Sequence, residues 1–207
     1  AQAFISSPSP SILPRLEPTD VRHFRLLSNR TAVVKKIAMP TAEEEAYKYV
    51  REAVRAFPEL YFARFVVLGE GASEEVVVPR LAEALNFNFD RSFVCTVPLG
   101  GRHVNHLWKL LSDLDIPYAT ILDLDWGRKG GGWGRIKQTI SELLKIDVPP
   151  SQLFSMATTL EQAEQALEAF AVDSLNTTGM LDWFNRLELH KVFFCKPLDL
   201  DYSMLRS

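Results

Sequence analysis

The chain has 207 residues, of which 47% are hydrophobic and 24% charged, and it carries a net charge of −3. That composition describes a globular protein with material for one sizeable core, and it leaves any nucleic-acid affinity to a local basic patch, because the overall charge does not favour it. No run approaches the ~18 continuous apolar residues of a membrane span and no charged-then-apolar leader opens the sequence, so we expect no membrane partner and a cytoplasmic location.

The first residues, AQAFIS, look strand-like and lack an initial methionine, and the last apolar-acidic pattern stops abruptly at Ser207; we expect a piece of a longer protein. Residues 1–40 are rich in Pro and Ser, and SSPSPSILPRLEPTD reads as loop with short extended pieces. NRTAVVKKIAMP then predicts a strand closing at Pro40. From Thr41, TAEEEAYKYVREAVRAF predicts a helix with a capping threonine and an acidic first turn, stopped by Pro58.

From residue 63 the pattern changes. ARFVVLGEG is a continuous apolar run ended by glycine, as expected of a strand buried on both faces. SEEVVVPRLAEALN follows as a helix with Ser73 as its N-cap. SFVCTVPLGG predicts a second buried strand, HVNHLWKLLSDLD a second helix, PYATILDLD a third strand and GRIKQTISELLKI a third helix. Alternating strands and helices with short turns point to an α/β fold with a mostly parallel sheet. After Pro149–Pro150, TTLEQAEQALEAFAVD and MLDWFNRLELH read as a small helical appendage, and KVFFCKPLDLDYSML opens with a strand. Cys95 and Cys195, a hundred residues apart in strand-like runs, are expected to be reduced core thiols.

Ligands of an open parallel sheet bind outside the carboxyl ends of its strands. The first of these strands ends at Glu70, with Glu74 one helical turn on; the second ends at Gly100–Gly101–Arg102–His103; the third ends at Asp123 and Asp125, which strand alternation would point the same way. Four carboxylates converging on one edge would repel unless hard divalent cations neutralised them. Beyond them, residues 127–135 offer glycines, Arg128, Lys129 and Arg135, with Trp126 and Trp133 alongside, a set suited to a nucleic-acid backbone and an unstacked base. Each feature has a plainer reading: a dipole-favouring surface glutamate, an aspartate cap, surface histidines at 103 and 106. Neither a Walker A sequence nor a G-x-G-x-x-G is present.

The succession VVLGEGASEE, VPLGGRHVNHLWKLL and ILDLDWGRKGGG resembles a Toprim domain, and more narrowly the C-terminal region of OLD (overcoming lysogenization defect) family nucleases, in which an ABC-type ATPase precedes a Toprim nuclease. The resemblance implies a Toprim-like domain over 41–149, an appendage at 150–190, a final strand and acidic segment at 191–207, and a remnant or linker of the ATPase at 1–40. It implies a metal-dependent DNA endonuclease using two Mg²⁺ or Mn²⁺ ions. Glu70 and Glu74 match the first acidic motif and Asp123 and Asp125 the D-x-D, all four as metal ligands, with Glu70, Asp123 and Asp125 catalytic; Asp199 and Asp201 match a later acidic pair. Arg102, His103, Arg128, Lys129 and Arg135 are the expected DNA or phosphate contacts. The family's basic residue near the scissile phosphate is not placed and is expected beyond Ser207. At FISSPSPSIL, Pro8 stands where the family's ATPase carries its switch histidine, so ATP is expected to be bound only by the missing ATPase, through which the full-length protein would form a homodimer; the fragment is expected to be a monomer. The alternatives are a Toprim domain that binds metal or partners without catalysis, and an aspartate-nucleophile phosphatase.

Overall fold

The structure, a computed structural model, describes residues 5–27, 29–37, 39, 47–48, 51–52, 55–100, 104–169 and 177–206. The Pro-rich opening forms two short 3₁₀ turns, Pro10–Arg15 and Pro18–Asp20. An antiparallel hairpin follows, β1 (Arg22–Leu26) with β2 (Ala32–Lys36), in which Phe24 lies opposite Val34. Only the second of these strands was predicted. Most of the helix expected from Thr41 lies outside the described residues; those described at 47–48, 51–52 and 55–56 are helical.

Four strands, β3 (Phe65–Gly69), β4 (Val94–Pro98), β5 (Tyr118–Asp123) and β6 (Val192–Cys195), form one sheet in the order β4-β3-β5-β6. Every neighbouring pair is parallel, with Leu68 beside Val97 and Thr120, and Asp123 beside Cys195. The connections are helical: α1 (Ala72–Ala84), α2 (Val104–Asp113) and α3 (Trp133–Leu144). Among the described residues four more helices follow: α4 (Pro150–Leu153), α5 (Leu160–Glu168), α6 (Thr177–Leu189) and α7 (Leu200–Arg206). This is the predicted α/β alternation.

Burial separates the strands more than their sequences do. Central β3 buries Val66, Val67 and Leu68. SFVCTV, equally apolar, was expected to be a buried strand, but β4 is an edge strand and only Val97 is fully covered. The helices supply the rest of the core at helical spacing. Leu107, Trp108, Leu110 and Leu111 come from α2, and Ile136, Ile140, Leu143 and Leu144 from α3. The buried Trp108 Nε1–H donates to Thr120 Oγ1 on β5 at 2.7 Å, which satisfies two polar atoms that would otherwise be costly inside.

Leu153, Ala163, Leu167, Met180, Phe184 and Leu187 of the helical appendage join this same core, and the Phe184 ring meets Phe194 of β6 at 5.6 Å. Both cysteines stand in strands as free thiols. Burial pushes Cys95 up to about 11 and Cys195 up to about 12, with carboxylates nearby adding to both, so both stay protonated. Among the described residues no helix is long and apolar enough to cross a membrane.

Candidate functional site

The chain leaves β3 for β4 on one side, while β5 lies on the other side of β3. That divergence opens a crevice at the carboxyl ends of β3 and β5, where a parallel sheet binds ligands. Glu70 is the first residue past β3 and Asp123 the last of β5. They are tied across the crevice: the Asp123 backbone N–H donates to Glu70 Oε2 at 2.9 Å.

Glu74 turns back over the same edge. Helix α1 begins at Ala72 with Gly71 as its N-cap, so Ser73 lies inside the first turn and is not the cap that the sequence led us to expect. Glu74 takes over that role: its Oε2 accepts from the Gly71 N–H at 2.9 Å, and the side chain is 2% exposed. A helix N-terminus favours a carboxylate, which offsets part of the cost of burying one. Gly69 makes this fold possible, because a Cβ there would overlap the Cβ of Glu74. Ser73 instead places its hydroxyl 3.4 Å from Asp201 Oδ2.

Asp125 behaves differently from Asp123. It lies past the strand at φ 52°, in the left-handed region, so strand alternation does not set its direction. Residues 124–126 follow the chain after β6: Leu124, Asp125 and Trp126 N–H groups donate to the carbonyls of Cys195, Leu198 and Pro197. This pairing brings the tail to the site. Asp199 Oδ1 caps α7 through the Tyr202 N–H at 2.8 Å, and Asp123 Oδ1 accepts from the Leu200 N–H at 3.3 Å. Asp199 thereby joins the cluster, whereas Asp201 sits exposed in the first turn of α7.

The glycine loop folds inward. Its Gly132 N–H donates to Leu124 O at 2.7 Å, and a Cβ on Gly131 would overlap the Asp125 carbonyl. Gly127 and Gly130 have φ of 83° and 81°, which glycine alone adopts readily. The folded loop starts α3 beside the acids and delivers two guanidinium groups to them. Arg135 Nη2 stands 2.6 Å from both Glu70 Oε1 and Asp125 Oδ2, with Nε 3.1 Å from the latter. Arg128 bridges Asp125 Oδ1 at 2.6 Å and Asp199 Oδ2 at 3.0 Å. Lys129 is exposed at the loop. Trp133 is buried and Trp126 packs beside the core, so neither forms an open stacking platform. Arg102 and His103 lie outside the described residues, and His106 stands in the first turn of α2.

The electrostatics divide along these contacts. Burial, then the charges of Glu70 and Glu74, push Asp123 up to about 6, only partly relieved by the Leu200 N–H. Burial would raise Asp125 as well, but hydrogen bonds from Arg135 and Arg128 and their charge outweigh it and hold the carboxyl below its usual range. Burial opposes the charge on Arg135, yet its bonds to Asp125 and Glu70 raise its pKa.

Hard carboxylate oxygens at one edge, one of them with a raised pKa, fit Mg²⁺ or Mn²⁺ in kind. They are not gathered ready-made: among the described residues no three His, Cys, Asp or Glu side chains are grouped to hold an ion. Among the described residues, the cations that meet these carboxylates are the Arg128 and Arg135 guanidinium groups. Nothing in the sequence alone singled out that pairing, although a basic residue in the first turn of a helix, where the dipole disfavours it, is a signal for Arg135.

A parallel α/β sheet with an acidic crevice at the carboxyl ends of adjacent strands is the Toprim architecture. Residues 61–125 match the family model of the overcoming lysogenization defect protein-like TOPRIM domain. The chain is 28% identical over 145 residues to Endonuclease GajA of Bacillus cereus (strain VD045), a match that covers 70% of this chain and 24% of that protein. The chain thus spans about a quarter of the length of that curated relative. Among solved structures it resembles the C-terminal region of the Xanthomonas campestris pv. campestris OLD protein, with TM-score 0.44 and 23% identity over 67% of this chain and 53% of that one. It also resembles the C-terminal region of the Burkholderia pseudomallei OLD protein, with TM-score 0.37 and 22% identity over 61% and 82% of the two chains.

Proposed function

We propose that this chain is the nuclease portion of a longer protein and cleaves or nicks DNA with Mg²⁺ or Mn²⁺. The observation that carries this reading is the meeting of Glu70, Glu74, Asp123, Asp125 and Asp199 at one crevice of an OLD-like TOPRIM segment. Similarity to an endonuclease over 70% of the chain supports it. These five residues would hold two ions, with Asp201 at the margin.

Divalent ions bound there supply Lewis-acid polarisation of the phosphodiester and a lowered pKa for water. The protein's own part is to hold the carboxylates. The Asp123 backbone N–H fixes Glu70, the Gly71 N–H fixes Glu74, and the Leu200 N–H orients Asp123. Lys129 and Arg128, exposed on the loop, offer positive charge to backbone phosphates. An ATPase ahead of this segment, with homodimerisation through it, belongs to the same proposal for the longer protein.

Incubation of supercoiled plasmid with the protein and Mn²⁺ tests the reading. Nicked and linear products are expected, falling by at least about a hundredfold in Asp123→Ala and Glu70→Ala. Full activity in both variants would remove these carboxylates from the reaction. A second reading, a Toprim domain that does not cleave, is favoured by the arginine bridges, which partly neutralise the carboxylates without any metal. Mn²⁺ binding by calorimetry without plasmid cleavage would select it.

A further inference from the structure

The two arginines pose a physical problem for any metal-dependent use of this crevice. Arg135 Nη2 lies 2.6 Å from Glu70 and from Asp125, two carboxylates that come from different strand ends. Arg128 makes a second bridge, from Asp125 to Asp199. Among the described residues no three acidic groups gather at one point, and the arginines already occupy oxygens of Glu70, Asp125 and Asp199. A divalent ion and the guanidinium groups therefore compete for the same oxygens.

Three observations make Arg135 able to leave. It stands in the first turn of α3, where the helix dipole repels a cation, so its carboxylate partners hold it there against that field. Its side chain is 26% exposed, which opens a path to solvent without disturbing the core. The loop before it stays pinned by the Gly132 N–H bond to Leu124 O, so the exchange needs only the Arg135 side chain to swing about its own rotatable bonds. Charge balance gives the direction. Two divalent ions bring four positive charges to oxygens that the two guanidinium groups meet with two, which favours the ions in the exchange.

We propose that Arg135 is an exchangeable internal cation and a positioning residue. It holds Glu70 and Asp125 together while no ion is bound, and it is released toward substrate phosphate when divalent ions take those carboxylates. Arg128, the more exposed of the two guanidinium groups, makes the same exchange between Asp125 and Asp199. This inference rests on the nuclease reading above and adds an order of events: ion binding exposes the phosphate contacts, so DNA and metal bind with positive cooperativity.

The test is calorimetric titration of Mn²⁺ alone into chelator-treated wild type, Arg135→Gln and Arg128→Gln, followed by Mg²⁺ addition to protein with ¹⁵N-labelled arginine side chains. Loss of a competing cation is expected to tighten Mn²⁺ binding about tenfold in R135Q and about threefold in R128Q. The Arg135 Nε–H signal of the wild type is expected to move on Mg²⁺ addition to that of a solvated guanidinium. R128Q, changed at an exposed side chain, keeps the comparison available if R135Q does not fold without metal. Mn²⁺ affinity unchanged or weakened in the folded variants, with an immobile Arg135 signal, would show a static clamp and overturn the exchange while leaving the nuclease reading intact. Absence of Mn²⁺ binding in wild type and variants alike would overturn both.

Discussion

The acidic crevice has two halves built from the same residue types. On one side Glu74 and Asp123, among the described residues, meet backbone N–H groups, and Asp123 is pushed up to about 6. On the other, Asp125 and Asp199 meet guanidinium groups, and Asp125 is held below its usual range. Asp123 and Asp125 are two residues apart in sequence, so identity and position do not explain the difference. Where the glycine loop lands does. It brings Arg128 and Arg135 to Asp125 and Asp199, and among the described residues no guanidinium reaches Asp123 or Glu74.

The largest expected effect comes from steric substitutions that displace one half at a time. Gly131→Ala would drive a Cβ into the Asp125 carbonyl and lift the arginine-bearing loop; Gly69→Ala would push Glu74 off the other half. Each is expected to cost about 3 kcal/mol in urea unfolding of the metal-free protein.

Next in size, Asp123→Asn is expected to stabilise the metal-free protein at pH 7.5 by about 1 kcal/mol, after allowing for solvent screening of a half-exposed group. The sign follows from the raised pKa. The folded state binds the Asp123 proton more tightly than the unfolded one, so the wild type carries the full penalty above about 6 and loses it as pH falls toward 4. The gain of the variant should therefore vanish below about pH 4 in paired thermal melts.

Asp125→Asn should do the opposite. A depressed folded pKa stabilises above the unfolded value, so this variant is expected to melt a few degrees lower at pH 7.5, with the gap closing as pH falls below about 4. Smallest is Arg128→Gln: the guanidinium itself is largely exposed and screened, so we expect the melting temperature to move by no more than about two degrees. A larger drop for R128Q than for D125N would reverse the ranking of the two bridges.

Much of this was legible in the sequence. The β3-α1-β4-α2-β5-α3 series could be read because each element has its own apolar period and glycine punctuation. Glu70 and Asp123 could be placed because residues at the carboxyl ends of parallel strands share an edge. The burial of Glu74 could not be read, since an acidic first turn is ordinarily solvated and only the bare Cα of Gly69 lets it fold over. The apolar SFVCTV run gave no sign that β4 is an edge strand, because strand order depends on which elements pair. Trp133 looked like a contact for a base but completes the core, since it is the first residue of α3 and packs inward with that helix's apolar face.

The sequence by itself determined the elements, their alternation and the edge on which the acids lie, because helical and strand periods are local properties of the chain. Only the tertiary structure decided the charge state of that edge. Arg135 reaches Glu70 across 65 residues and Arg128 reaches Asp199 across 71. Contacts at that separation exist only once the sheet has closed and the glycine loop has folded back against it.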